Sequence, residues 1–235
     1  MAKYDIKNLL ETNSYPGRGI ILGRSADDKY SVAAYFIMGR SNNSRNRIFT
    51  ATDDGIKTEA FDPAAMEDPS LIIYHPVRQL DGKLIVTNGD QTDTIRDGML
   101  EGKTMSEALK SREFEPDMPN YTPRISGVVH SCGCYELSIL KSLDGDPSCC
   151  CRYTFDYDKP KAGLGHFIHT YIGDGSPLPS FAGEPEDVAI DAPDAASLAD
   201  LLWKSLNEDN KVSLYVCYTE LSSGKRDTVI LNKNQ

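Results

Sequence analysis

The sequence predicts an α+β fold built mainly from antiparallel hairpins, and three observations lead there. Short β-branched, aromatic and aliphatic runs recur along most of the chain, bounded by Gly, Asn, Asp or Pro. Successive runs are separated by only a few turn-forming residues, too few for the crossover that parallel strands need. Only two segments carry a convincing helical pattern, and each has a start signal. Two stacked, mainly antiparallel sheets flanked by helices would bury both helical stripes.

Taken in order, "GRGIILGRS" and "YSVAAYFIMG" flank "ADDK" and form a first hairpin, its first strand beginning near Arg18. "RIFTATDDGIKTEAF" is a second, turning at Asp-Asp-Gly. "LIIYHPVRQLDGKLIVTNG" is a third, bent at Asp81-Gly82. "RISGVVHSCGCYELSILKSL" is a fourth, turning near Cys132-Gly133. "CCCRYTFDY" and "GHFIHTYIG" add two strands, and "VSLYVCYTEL" and "DTVILNK" close the chain around "SSGKR". The first helix is expected over Thr104 to Arg112, opened by a capping box of Thr104 and Glu107. The second is "PDAASLADLLWKSLN", started by Pro193 and Asp194, with Leu198, Leu201, Leu202 and Leu206 on one stripe. A shorter helical turn is expected near Thr92 to Met99, limited by Gly98 and Gly102, with Thr92 and Asp93 as its N-cap. The acidic, proline-containing stretch before the second helix reads as a surface loop.

The 235 residues, 40% of them hydrophobic, suffice for one large core, and a single domain over 1–235 is expected. The formal charge of -10 argues against a nucleic-acid polymer as partner. Charge is uneven, however: residues 15–47 hold six basic and two acidic side chains. Such an island suits a small anion. The N-terminal residues have no apolar h-region, and no apolar run is long enough to span a bilayer, so a soluble, cytoplasmic protein is expected. The six cysteines read as reduced, mostly buried thiols, since three of them are adjacent and no C-x-x-C pair occurs. No metal and no cofactor is expected.

The candidate site residues start with arginines. Arg18, Arg24, Arg40, Arg45 and Arg47 lie at strand ends or in "GRSNNSRNR", residues 39–47, together with Asn46. Two or three guanidinium forks can clamp one phosphate. By composition the same segment also reads as a solvated loop of turn formers. In "TNGDQTDTI", Asn88 follows a buried strand and precedes a helix start, where amides can face a ligand; a plain Asn-Gly turn is the other reading. In "NYTPRIS", Pro123 forces Thr122 into an extended form and sets Arg124 at a strand mouth, where it needs an anionic partner. A structural salt bridge would serve equally. Tyr74 and Tyr171 end apolar strands and put phenols near loops. No nucleotide loop of the Walker or dinucleotide type is present.

Together, "YPGRGI", "GRSNNSRNR", "IIY", "TNGDQTD", "TPRISG" and "TYIGDG" resemble the archaeal-type IMP cyclohydrolases and their bacterial relatives, over roughly residues 15–175. The resemblance implies an Ntn-hydrolase-like αββα sandwich without that class's free N-terminal nucleophile. It implies dehydrative ring closure of FAICAR to IMP, the last step of de novo purine synthesis. On it, Arg18, Arg45 and Arg47 are expected to anchor phosphate and ribose, while Arg40, Asn46 and Asn88 orient the base. Tyr74 is the expected proton shuttle, and Arg124 is expected to stabilise the oxyanion or orient that tyrosine, with Tyr171 lining the site; Glu136 is a weaker candidate. The expected partner is a small nucleotide, with no membrane, and a homo-oligomer is compatible with it. Two alternatives stay open: an enzyme of the same fold acting on a related imidazole ribotide, and a non-catalytic purine-ribotide-binding protein.

Overall fold

The structure, a computed structural model, describes residues 4–66, 69 and 71–235. Its helices are α1 (Ile6–Thr12), α2 (Asn42–Arg45), α3 (Gln91–Leu100), α4 (Met105–Ala108) and α5 (Ala195–Ser205). Its strands are β1 (Arg18–Arg24), β2 (Tyr30–Met38), β3 (Arg47–Thr52), β4 (Gly55–Ala60), β5 (Val77–Leu80), β6 (Lys83–Thr87) and β7 (Arg124–Val129). β8 (Tyr135–Leu143), β9 (Asp146–Tyr157), β10 (Leu164–His169), β11 (Glu186–Ala189), β12 (Lys211–Glu220) and β13 (Arg226–Asn232) follow.

Among the described residues these strands make two antiparallel sheets, in the order β11-β10-β1-β2-β12-β13 and β3-β4-β5-β6-β7-β8-β9. Their inner faces meet in one apolar layer. Ile20, Leu22, Tyr35 and Ile37 from the first sheet pack there with Phe49, Val86, Ile125 and Leu137 from the second. The outer face of the first sheet, including Ile21, Phe36 and Val216, is covered by Leu10 of α1 and by Leu198 and Leu202 of α5. The outer face of the second, through Ile85 and Val128, is covered by Ile95 of α3 and Met105 of α4. The layers therefore run α-β-β-α, as expected for an α+β sandwich.

All the expected hairpins form. The third starts later than the apolar run suggests: residues 71–76 are irregular and β5 begins at Val77. Pro76 has no N–H to give the ladder, and the segment is held instead by the pair Thr58 N–H to Tyr74 O and Tyr74 N–H to Thr58 Oγ1, each 2.9 Å. The acidic stretch is not loop throughout, since β11 lies within it and pairs with β10. Three helical differences also appear. Short α1 and α2 replace expected coil, and α2 is closed by a Ser41–Ser44 capping box. The Thr104–Glu107 box starts only four helical residues, and Leu109–Ser111 finish as 3₁₀. α3 is longer than expected and its N-cap is Asp90, not Thr92 or Asp93. Gly98 does not limit it; a Cβ there would stand 2.6 Å from Ala108 Cβ, so the glycine lets α3 and α4 touch.

The cysteine expectation is corrected. Cys132 and Cys134 are joined in the β7–β8 turn, with Cα atoms 5.5 Å apart, within disulfide range. Of the free cysteines only Cys217 is buried; Cys149, Cys150 and Cys151 are half-exposed on β9.

Candidate functional site

Strand alternation aims the first two arginines at each other. On β1, Arg18 shares the inner face with Ile20 and Leu22; on β3, Arg47 shares it with Phe49. Both are the first residues of their strands, and they lie close enough at one end of the inter-sheet layer for Arg47 to feel the charge of Arg18. Arg47 is fully buried. Its Nε donates to Ser44 O at 2.8 Å, but Nη1 and Nη2 are buried with no hydrogen-bond partner, as is Arg18 Nε. Burial, and then the like charge of Arg18, push the Arg47 guanidinium below its ordinary range. Burial pulls Arg18 the same way, but the opposing Glu115 carboxyl, first among its acidic neighbours, outweighs it and raises the guanidinium.

Two phenols, one from a strand and one from the irregular 71–76 segment, close this end. Tyr35 of β2 and Tyr74 of the 71–76 segment share a hydroxyl–hydroxyl hydrogen bond of 2.8 Å. Burial, and then the neighbouring Tyr74, raise Tyr35 well above a normal phenol. Tyr35 therefore keeps its proton, and either hydroxyl can donate in that bond.

Glu115 faces the arginines from the loop after α4 and is 2% exposed. Its backbone N–H donates to Thr122 O at 2.9 Å, fixing the carboxyl's position. Burial pushes the carboxyl up to about 7, against the pull of Arg18 and Arg124. Beside it, Thr122 Oγ1 donates to Asp117 Oδ2 at 2.5 Å and accepts from Tyr171 at 2.5 Å. Burial raises the Tyr171 phenol, which stays protonated for that bond. Arg124 Nη1 bonds Asp90 Oδ1 at 2.8 Å and Gln91 Oε1 at 2.7 Å. Between Arg124 and Glu115 lies Gly89, where a Cβ would stand 2.5 Å from Arg124 Nη1 and 3.5 Å from Glu115 Oε1. Only glycine leaves those two groups that close.

The sequence-derived residues thus divide. Arg18, Arg47, Tyr74, Tyr171 and Arg124 gather around Glu115. Asn88 sits one layer behind: its Oδ1 accepts from Ile125 N and Gln91 Nε2, both 2.9 Å, and Nδ2 donates to Pro123 O at 2.8 Å. It positions Gln91, and through it Arg124. Arg40 is at the rim, its guanidinium 5.1 Å above the Tyr15 ring and bonded to Asp174 and to Gly175 O. Arg45 and Asn46 stand apart. Arg45 holds Gly39 O and Asn210 Oδ1; Asn46 exchanges two 2.7 Å bonds with the Asp62 backbone. Glu136 is elsewhere, 3.2 Å from His130 at the other end of β7.

Glu115, Tyr35, Tyr15 and Gln91 escaped the sequence reading. Tyr35 lies in an apolar strand and looks like core. Glu115 has the same local context as Glu113, whose side chain is 65% exposed. A buried glycine before a capped helix, Gly89, was the one available hint.

Comparison with known proteins agrees with this geometry. Residues 15–224 match the family model described as IMP cyclohydrolase-like protein. An IMP cyclohydrolase of Methanopyrus kandleri is 28% identical over 169 residues, 71% of this chain and 79% of the relative. One from Methanosphaera stadtmanae is 32% identical over 124 residues, 51% of this chain and 59% of its own. One from Haloquadratum walsbyi is 31% identical over 121 residues, 50% and 57% of the two lengths. The matched span runs from Tyr15, three residues before the first site arginine, to Gly224 in the last hairpin, and so takes in every strand but β13 and every gathered side chain: the chain belongs to the IMP cyclohydrolase-like family.

Proposed function

We propose that this chain is an IMP cyclohydrolase, closing the pyrimidine ring of FAICAR with loss of water to give IMP. One observation supports this above the others. Two neighbouring arginines from different sheets, Arg47 buried and Arg18 half-buried, keep buried guanidinium nitrogens without partners, and the protein supplies them with one carboxyl of raised affinity for protons. Such donors need an anion of defined shape, and a ribotide phosphate and a developing oxyanion are both of that kind.

The reaction is intramolecular. The carboxamide nitrogen attacks the formamide carbon on the same imidazole, so the protein's first task is to hold the two groups in line. Arg18 and Arg47 would grip anionic oxygens. Arg124, fixed by Asp90 and Gln91, would stabilise charge growing on the formyl oxygen. Burial raises the proton affinity of Glu115 into the neutral range, which suits a group that takes a proton from nitrogen and returns one to the departing hydroxyl. Tyr74, hydrogen-bonded to the Tyr35 hydroxyl, is the second proton-handling group. No chemical step in this scheme calls on a cofactor or metal. Arg40 would steer the ligand at the rim.

The same proposal includes an Ntn-hydrolase-like fold acting as one domain, a cytoplasmic location and no nucleic-acid partner; a homo-oligomer is compatible with it. Among the described residues no helix is long and apolar enough to cross a membrane. The test is turnover: purified protein with FAICAR, without added cofactor, should form IMP by absorbance and chromatography. Persistence of FAICAR alongside tight IMP binding would favour a ribotide-binding protein instead.

A further inference from the structure

The turn between β7 and β8 lies at the far end of β7 from Arg124 and carries a cysteine pair around one glycine, Cys132-Gly133-Cys134, joined as a disulfide. Gly133 permits this tight path with φ of +82°. A Cβ on it would stand 2.8 Å from Arg24 Nη2. Arg24 is 9% exposed, its Nε has no hydrogen-bond partner, and its ion pair is with the exposed Asp28 at 3.3 Å. The Cys134 N–H donates to Cys132 Sγ at 3.3 Å. Cys132 is exposed and Cys134 half-exposed.

A staple that spans two residues restrains the unfolded chain very little, because the gain grows with the length of the loop closed. This pair therefore adds little as a support. Exposure and a small ring place it among reducible disulfides. A buried guanidinium and an amide N–H face the same turn, and both favour a thiolate.

We infer that Cys132 and Cys134 form a reversible dithiol–disulfide site that exchanges with low-molecular-weight thiols, independently of the ring-closing site. In the forward direction a glutathione thiolate attacks Cys134 Sγ. The Cys132–Cys134 bond breaks, and Cys132 leaves as a thiolate met by the Cys134 N–H and by Arg24. A second glutathione thiolate attacks the mixed disulfide, releasing oxidised glutathione and the Cys134 thiolate. The two protons lost by glutathione are taken up by the two cysteines, and two electrons pass to the protein. Oxidised glutathione reverses each step.

The test equilibrates the full-length protein in glutathione buffers from reduced to oxidised, followed by acid quenching, alkylation and tryptic mass spectrometry of peptide 125–141, which holds both cysteines. The expected result is two alkyl groups at the reduced end and none at the oxidised end, with one midpoint approached from either side. Two alkyl groups at every ratio, or a disulfide surviving the most reducing buffer, would overturn the site. Cys132→Ser should accumulate a glutathione adduct on Cys134; its absence would overturn the order of attack. Arg24→Gln should slow reduction roughly threefold or more, and an unchanged rate would remove Arg24 from the site. Replacing Cys149, Cys150 and Cys151 together by Ser should leave the midpoint in place, and a shift would overturn pairing within the turn.

Discussion

Arg45 and Arg47 are two residues apart and chemically identical, yet they end in opposite circumstances. Arg45 closes the short helix α2, and its Nε and Nη2 donate to Gly39 O and Asn210 Oδ1. Arg47 opens β3, points into the inter-sheet layer, and keeps both terminal nitrogens buried and unpartnered. The first arginine fastens the segment; the second is fastened by it, since Ser44 O holds its Nε at 2.8 Å. The contrast teaches that an arginine-rich segment is not one site. Which guanidinium is available to a ligand depends on the side of a strand start it occupies.

The sharpest way to break this contrast is to remove each charge. Arg47→Met should lower kcat/KM for FAICAR about a thousandfold. Arg45→Met should leave it within about threefold while costing about 1 kcal/mol in stability; equal effects on activity would erase the distinction. Next, Tyr74→Phe should cut kcat about a hundredfold with little change in IMP affinity, measured by steady-state kinetics beside isothermal titration. A loss confined to affinity would make Tyr74 a binding group.

Glu115 sharpens the comparison through pH. Its folded carboxyl titrates at about 7, against an ordinary 4.5. Between those values the folded protein holds more protons at this group than the unfolded chain, so its contribution makes stability fall as pH rises. Glu115→Gln removes that slope. Melting temperatures from pH 5 to 7.5 should decline less in the variant than in the parent, by on the order of several degrees. Parallel curves would show that the carboxyl titrates normally. The smallest expected effect belongs to the rim: Arg40→Ala should raise KM about threefold to tenfold with kcat nearly constant, and a kcat loss alone would move Arg40 inward.

Much of the architecture could be read from residue order. Hairpins are local: turn residues such as Asp81-Gly82 and Gly133 sit between runs that pair with each other, so the strands and most registers follow from neighbours in the chain. Helix α5 was equally legible, because Asp194 and the leucine stripe signal its start and its buried face. The charge island at 15–47 was visible too, and it contains Arg18 and Arg47. What the sequence could not hold is the packing of one sheet on the other. That packing sets Arg18 against Arg47 and Tyr35 against Tyr74. It also makes Glu115 a buried partner while Glu113, two residues away, stays in solvent. Local propensity reaches only a few residues along the chain, whereas burial, and with it the proton affinity of a carboxyl, is fixed by side chains arriving from distant segments. The residue types were determined by the sequence; their protonation and their freedom to meet a ligand were decided where the two sheets close.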